Sequence, residues 1–409
     1  MIKRGRPPHS IVIVADGDSR VKWAEALAQG IRANLPCPDA YGIEIIKLSA
    51  QNAIKHLFVH KSYDMSVCHF LIMGYGGGAN LSFSKGFFDF YTKVGGNFRP
   101  ILIAGFNGIC DPMDPHPLLC RSSADLILAN SPEDLSWFRA WFSDLGMDAA
   151  ERLMLLGYLP EDQTRRSAER IDREKTKSRP RIVFFAQPTV PETMKERLYL
   201  LRRLNQLAFQ NPDWDIVVKP RSGRYARDIT HSEKYYYQDL QKRFLEKVSA
   251  NFSFSHENVD SLLEETDLCL TVGSTVAITA IRKGIPTLII SDFGIRRNYG
   301  NHHFVGSGYL GSLGSISVDS FQFKSIEPWM SRHVVNSSFH VAEVARRLVD
   351  LLNRQLADHT QLPVPASLYA VLGCDYMTDP SVRPAISASQ RTGYRFFGFL
   401  GNIKNYIFK

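Results

Sequence analysis

Three short stretches of this chain carry residue types that could do chemistry together. Asp16-Gly17-Asp18 sets two carboxylates around a glycine, directly after the apolar run Ile11 to Val14. A carboxylate at an exposed strand end can take a proton from a hydroxyl when burial or a neighbouring acid raises its pKa. That makes Asp16 the better general base, with Asp18 either a second base or, like Ser19, a cap for the next helix. Gly273-Ser274-Thr275 sits between the apolar run Leu268 to Val272 and a helical pattern through Val276, Ile278, Ala280 and Ile281. Backbone N–H groups at a helix start, the positive end of the dipole and two hydroxyls suit a phosphate; an ordinary hydroxyl cap is the other reading. Lys219 and Arg221 follow Ile216 to Val218, with Arg224 and Arg227 close behind. Fixed cations there either hold a leaving phosphate as its charge develops or form a basic surface loop.

Further polar groups fall at the ends of neighbouring apolar runs. Gln187 and Thr189 follow Ile182 to Ala186, and His256 follows Phe252 to Phe254, so they join the phosphate-side group. On the other side, Gly74-Tyr75-Gly76-Gly77-Gly78 follows Phe70 to Met73 without the G-x-G-x-x-G spacing or a P-loop lysine. It reads as a flexible loop where backbone at Gly76 and Gly77 approaches a substrate, or as a simple turn. Asn107 ends the next run, and His116 lies in a proline-rich loop, either lining that side or solvated. No H-E-x-x-H or Cys/His cluster suggests a metal. His302-His303 fall in a long glycine-rich loop, Asn301 to Gly314, expected to stay outside the core and to cover a ligand or set specificity.

Such groups need strands ending at one cleft, and the hydrophobic pattern supplies them. Asp267 to Asp292 reads as strand, turn, helix, glycine stop and strand, one βαβ unit of a parallel sheet. Before it, strands alternate with helices from Ile11 to Gly157: a helix over Val21 to Leu35, strands Ile43 to Leu48, Pro100 to Ala104, Leu126 to Ala129 and Met154 to Leu156, and a helix opened by Ser131-Pro132-Glu133-Asp134. Parallel strands need crossover helices, so this is a doubly wound α/β domain. The expected division is residues 1–159 as a first Rossmann-like domain, a basic linker over 160–181, a second Rossmann-like domain over 182–385, and a basic aromatic tail over 386–409 that either packs back on the first domain or meets a membrane. Two such domains would face each other across a cleft.

The totals agree with this division. The 409 residues exceed one core and suit two domains. With 44% apolar and 22% charged residues, the composition is that of a globular protein rather than a disordered one. No apolar run is long enough to span a bilayer and the start does not read as a signal segment, which implies a cytoplasmic protein. The six cysteines form no C-x-x-C pair, and Cys269 reads as a core thiol. A net charge of +8 favours anionic partners.

The tandem domains and the segment Asp267 to Pro286 resemble the GT-B glycosyltransferases, and the sub-pattern is similar to bacterial enzymes using CMP-activated acidic sugars, the sialyltransferase and Kdo-transferase type. In these an acidic motif ends the first strand, as Asp16-Gly17-Asp18 does, and a Ser-Ser or Ser-Thr pair opens a donor-site helix, as Ser274-Thr275 does. Their Lys-x-His-Pro motif is matched at Lys219, which Pro220-Arg221 follows here without the motif's His-Pro. Ser291-Asp292-Phe293-Gly294 and Gly306 to Leu313 also resemble a set of bacterial proteins placed near the glycosyltransferases.

The resemblance implies acceptor binding by the first domain, nucleotide-sugar binding by the second, Asp16 or Asp18 as base, and Ser274 and Thr275 on the phosphate, with no cofactor and no metal. It implies a CMP-linked nonulosonic acid or Kdo donor and a glycan or lipid-linked glycan acceptor for cell-surface polysaccharide, in a cytoplasmic protein in peripheral contact with the anionic inner membrane. No nucleic-acid partner is expected. The alternatives are a UDP- or GDP-sugar transferase, a nucleotide-sugar 2-epimerase, and a non-enzymatic protein that binds anionic glycan or nucleic acid.

Overall fold

The apolar runs form two six-stranded sheets in which every strand pairs in parallel with its neighbours. The computed structural model describes residues 8–60, 63–94, 99–111, 114–144, 151–159, 179–221, 233–322, 326–335 and 337–358. Most of the expected linker, the expected tail, and Arg224 and Arg227 lie outside them.

In the first sheet β1 (His9–Ala15), β2 (Tyr41–Lys47), β3 (Cys68–Gly74), β4 (Ile101–Gly105), β5 (Leu126–Ala129) and β6 (Leu153–Leu155) run in the order β2-β1-β3-β4-β5-β6. Its main helices are α1 (Asp18–Asn34), α2 (Ala50–Ile54), α3 (Gly77–Val94), α4 (His116–Leu119) and α5 (Pro132–Asp144). They cover both faces, so β3 is buried along its whole length, and its near-continuous run Cys68 to Met73 is the sequence signature of that burial. Ser131 caps α5 as its sequence implies, its Oγ accepting from Asp134 N at 3.0 Å.

The second sheet has the order β12-β11-β10-β7-β8-β9, built from β7 (Arg181–Phe185), β8 (Asp215–Lys219), β9 (Phe252–Phe254), β10 (Leu268–Thr271), β11 (Thr287–Ile290) and β12 (Leu310–Gly311). Around it lie α6 (Met194–Gln210), α7 (Tyr237–Phe244), α8 (Val259–Glu264), α9 (Val276–Arg282) and α10 (Glu327–His333). The last helix, α11 (Ser337–Asp358), follows this sheet in sequence yet packs on the first. Its Val341, Val344, Leu348 and Leu352 are buried with Trp23, Leu27 and Ile31 of α1.

Two expectations are corrected. The glycine stretch after β3 is not a flexible loop: only Tyr75 and Gly76 separate the strand from α3, whose first turn holds Gly77 and Gly78. Tertiary packing overrides the low helix propensity of glycine here, because the helix buries Leu81, Phe83, Phe87 and Phe88. Nor is Asn301 to Gly314 outside the core: Asn301, His303, Phe304, Ser307, Tyr309 and Leu313 are buried. Side chains replace the missing regular backbone bonds: Asn301 Nδ2 donates to Gly294 O, Ser307 Oγ donates to Phe304 O, and the Tyr309 amide donates back to Ser307 Oγ.

Candidate active site

In each sheet the strand order reverses direction once, between β1 and β3 in the first and between β7 and β10 in the second. Crevices at the carboxyl ends of such strands are where open α/β sheets hold ligands. Asp16 and Tyr75 stand at the first switch point, and Gln187 and Gly273 at the second.

At the first, Gly17 takes φ +66° and turns the chain from β1 into α1 with no side-chain cap. Asp18 therefore does not cap the helix; it is an exposed acid in the first turn. Asp16 Oδ1 accepts from Arg20 Nη1 at 2.6 Å. Its partner is a cation one turn along the helix, rather than the second carboxylate that the spacing suggested. A Cβ on Gly76 would lie 2.7 Å from Arg20 Nη2, so the start of α3 comes up against this pair.

Burial, then the charge of Asp16, pushes the Tyr75 phenol far above its usual range, and its hydroxyl donates to Leu48 O. His116 is neither in an extended loop nor solvated. It opens α4, with its ring beside Gly77 and 3.3 Å from Cys120 Sγ, and burial lowers its pKa. Asn107 is half-buried past the end of β4.

Beneath these loops lies Arg121, 3% exposed, which sequence reading missed. It donates to Tyr75 O, Gly105 O and Pro117 O and stacks on Phe106 at 4.0 Å. The ends of β3 and β4 and the first turn of α4 thus hang on one buried guanidinium, whose pKa burial lowers to about 10.

At the second switch point Gln187 Oε1 accepts from Gly273 N at 3.0 Å, tying the ends of β7 and β10. A Cβ on Gly273 would stand 2.0 Å from Tyr299 O, so only glycine allows the 299–301 turn to press against this loop. Ser274 Oγ accepts from Val276 N at 3.3 Å, the capping role, and the neighbouring Thr275 is exposed without a capping bond. Thr189 is exposed and His256 is exposed 3.4 Å from Gln238 Nε2.

The loop after β7 is fixed by a second missed arginine. Arg197 donates to Gln187 O, Pro188 O, Pro191 O and Tyr235 O and pairs with Glu233 at 2.5 Å, both side chains almost wholly buried. One signal was present: Arg197 falls three and four residues before Leu200 and Leu201, on the buried face of α6.

Lys219 ends β8, on the other side of β7 from Gly273; two strand spacings are about 10 Å. It is 8% exposed, and its ammonium donates to the adjacent Pro220 O at 2.9 Å. Burial first, then the charges of Arg221 and of Lys22, lowers its pKa. Lys22 belongs to α1 of the first domain, so charge from that domain acts on the end of β8. Asp111, beyond β4, crosses from the first domain to Arg297 at 2.6 Å and lies 3.3 Å from His302 Nε2. On the hinge side, Tyr158 O accepts from Arg282 Nη1 and from Ser337 Oγ. Of the expected site residues, Arg20 brings Asp16 and Gly76 together and His116 lies beside Gly77 in the first domain, while Gln187 bonds Gly273 in the second, with Lys219 two strands away.

The model of a family described as "Putative glycosyltransferase (DUF6716)" matches residues 82–351, which include Lys219, Arg221 and Ser274-Thr275 and begin after Asp16 and Lys22. No curated protein matches the chain. Among solved structures, the chain is similar to UDP-GlcNAc 2-epimerase from Methanocaldococcus jannaschii in complex with UDP-GlcNAc and UDP, at TM-score 0.51 and 11% identity, over 84% of this chain and 99% of that one. It is similar to UDP-GlcNAc 2-epimerase from Neisseria meningitidis bound to UDP-GlcNAc, at 0.50 and 11%, over 84% and 100%. The wall teichoic acid polymerase TagF matches at 0.51 and 14%, over 86% and 90%. These likenesses establish the fold, two facing Rossmann-like α/β domains of the GT-B type.

Proposed function

The chain belongs to this family of glycosyltransferases, and from that premise we propose that it moves a sugar from a nucleotide donor held by the second domain to an acceptor hydroxyl held by the first. One observation carries the donor site. Lys219 is a buried cation at a strand end, beside Arg221, and among the described residues neither pairs with a carboxylate. A buried charge without a counter-charge is costly, and a donor phosphate would supply one. Ser274 keeps a lone pair beyond its capping bond and Thr275 has no capping bond, so both hydroxyls can reach the same anion.

On the facing side Asp16 is the general base. Arg20 fixes its orientation, and an acceptor hydroxyl between Asp16 and the donor's anomeric carbon would lose its proton to the carboxylate as its oxygen bonds to that carbon and the nucleotide phosphate leaves from it. Gly76, Gly77, Asn107 and His116 line the acceptor side. The electrostatic work on the leaving phosphate falls to the cations and backbone dipoles.

Of the donors, a UDP-linked sugar comes first to be tested, because proteins of like fold carry UDP and UDP-GlcNAc. The CMP-linked acidic sugar suggested by the sequence loses ground at Arg221, where the related motif has histidine. The test is to incubate the protein with UDP-GlcNAc, other UDP-sugars, GDP-sugars and CMP-sugars, and to measure nucleotide release with and without glycan acceptors. Acceptor-dependent release supports transfer. Interconversion of UDP-GlcNAc without an acceptor would instead make the chain an epimerase, the reaction of two proteins of like fold.

A further inference from the structure

One acid of the first domain grips the turn that lies on the donor loop. Asp111 sits past the end of β4; its Oδ2 accepts from Arg297 Nε at 2.7 Å and lies 2.6 Å from Arg297 Nη2, while its Oδ1 is 3.3 Å from His302 Nε2. Two residues earlier, Ile109 packs against the apolar cluster that holds Ala277, Ile278 and Ile281 of α9 with Phe304 and Trp329. Residues 109–111 therefore meet the second domain twice, at the helix that follows Ser274-Thr275 and at the segment pressed on Gly273.

That segment has little slack. Arg297–Tyr299 and Asn301–Phe304 are short 3₁₀ turns joined by Gly300 at φ +75°. Asn301 braces them: its Oδ1 accepts from Arg296 N at 2.8 Å and its Nδ2 donates to Gly294 O at 3.0 Å. Arg296 Nη1 donates to Tyr299 Oη and to Glu196 Oε1, each at 3.1 Å. With Tyr299 O packed against Gly273, backbone on backbone, a displacement of Arg297 is passed to the donor loop. A second ion pair between the domains, Glu133 with Arg332 at 3.8 Å, joins α5 to α10 rather than to this segment.

The geometry points to Asp111 as a positioning residue supplied by the first domain: with the domains closed it holds Arg297 and His302, and through them keeps the loop Gly273 to Thr275 set around a bound nucleotide. This rests on the nucleotide-donor reading above and deepens it, because it names the contact that must break before the nucleotide leaves. A partly exposed pair adds little to the stability of the fold. A nucleotide that prefers the closed arrangement adds its own preference to that of the pair. Non-additivity between the partners, rather than their proximity, is what establishes such coupling.

The test is stopped-flow binding and release of mant-labelled UDP, GDP and CMP by the full chain, as wild type, Asp111→Ala, Arg297→Ala and the double variant. Asp111→Ala should speed release of the nucleotide that binds by about 3- to 10-fold, between the effect of an exposed pair and that of a charge-assisted bond. Association should stay within about 2-fold, since contacts formed after encounter act on dissociation. Arg297→Ala, at a half-exposed position, should do the same, and the double variant should release no faster than either single. Glu133→Gln, which removes the pair with Arg332, should release nucleotide at the wild-type rate. Wild-type release from Asp111→Ala, effects that multiply in the double variant, or an equal loss in Glu133→Gln would overturn the inference and leave the donor site standing. Absence of binding by all three nucleotides would overturn the proposed function, and the inference with it.

Discussion

Asp16 and Arg20 form a hydrogen-bonded ion pair, 2.6 Å from Oδ1 to Nη1, one turn apart at the point where β1 becomes α1. The pair is partly exposed, so its stabilising worth is small. Its consequence is orientation: Arg20 holds one carboxylate oxygen in place at the end of β1. Asp16→Asn keeps the shape and removes the basicity. Transfer should fall by about 10²- to 10⁴-fold, the contribution of a positioned base, with nucleotide affinity unchanged. Asp18→Asn, at an exposed first-turn position, should stay within a few-fold of wild type. Turnover at saturating donor separates the two, and an Asp16→Asn protein with near-normal turnover removes Asp16 as the base.

Gly273 tests how closely the donor loop is packed. The 2.0 Å approach of a Cβ to Tyr299 O involves backbone on both sides, so no side chain can swing away. Gly273→Ala should cost about 1–3 kcal/mol in urea unfolding, as overpacking does. It should also weaken nucleotide binding, because the bond from Gly273 N to Gln187 shifts with the loop. Unchanged stability would mean that the 299–301 turn is free to move.

The strands and the two reversals of strand order were legible because fully buried parallel strands read as unbroken apolar runs, Leu268 to Val272 among them. The polar residues at their carboxyl ends, Asp16, Gln187, Lys219 and Ser274, were legible for the same reason, since a strand end is marked by the first residue that breaks the run. What stayed hidden depends on distance in three dimensions. Arg121 lies in Cys120-Arg121-Ser122-Ser123, with no periodic pattern, and its importance comes from three carbonyls far apart in sequence. Asn301 to Gly314 misled because its glycines and histidines resemble a surface loop, whereas its order comes from side-chain bonds that periodicity does not encode.

Arg197 and Glu233 provide a third prediction. Removing one member of a buried pair strands the other without compensation, a loss of about 3–5 kcal/mol. Arg197→Met should therefore unfold at markedly lower urea than wild type, and Glu233→Gln, which keeps a hydrogen-bond acceptor for the guanidinium, should lose less. The double variant Arg197→Met/Glu233→Leu should recover part of the loss, since two apolar side chains leave no charge buried. A double variant as unstable as the sum of the singles would show that the bonds from Arg197 to the four carbonyls, rather than the ion pair, hold the loop after β7.

Asp134 carries the pH dependence. It is 4% exposed at the start of α5, its Oδ2 has no hydrogen-bond partner among the described residues, and burial pushes its pKa from 3.8 to about 7. The folded state thus favours the protonated acid. The stability that this provides is present in full below about pH 4, fades as pH rises, and is lost once pH passes about 7. Asp134→Asn keeps a neutral group of the same shape at every pH and retains the bond from the backbone N–H of residue 134 to Ser131. At pH 5 the asparagine variant should already lead by roughly 1.6 kcal/mol, because the unfolded acid is ionised there while the folded one is not. At pH 8 the asparagine variant should be the more stable, by up to roughly 4 kcal/mol if the whole shift is expressed. Thermal unfolding of both proteins at pH 5, 6.5 and 8 reads the difference directly, and changes in other titrating groups cancel between them. A gap that does not widen with pH would mean that Asp134 is ionised in the folded protein, with water reaching Oδ2.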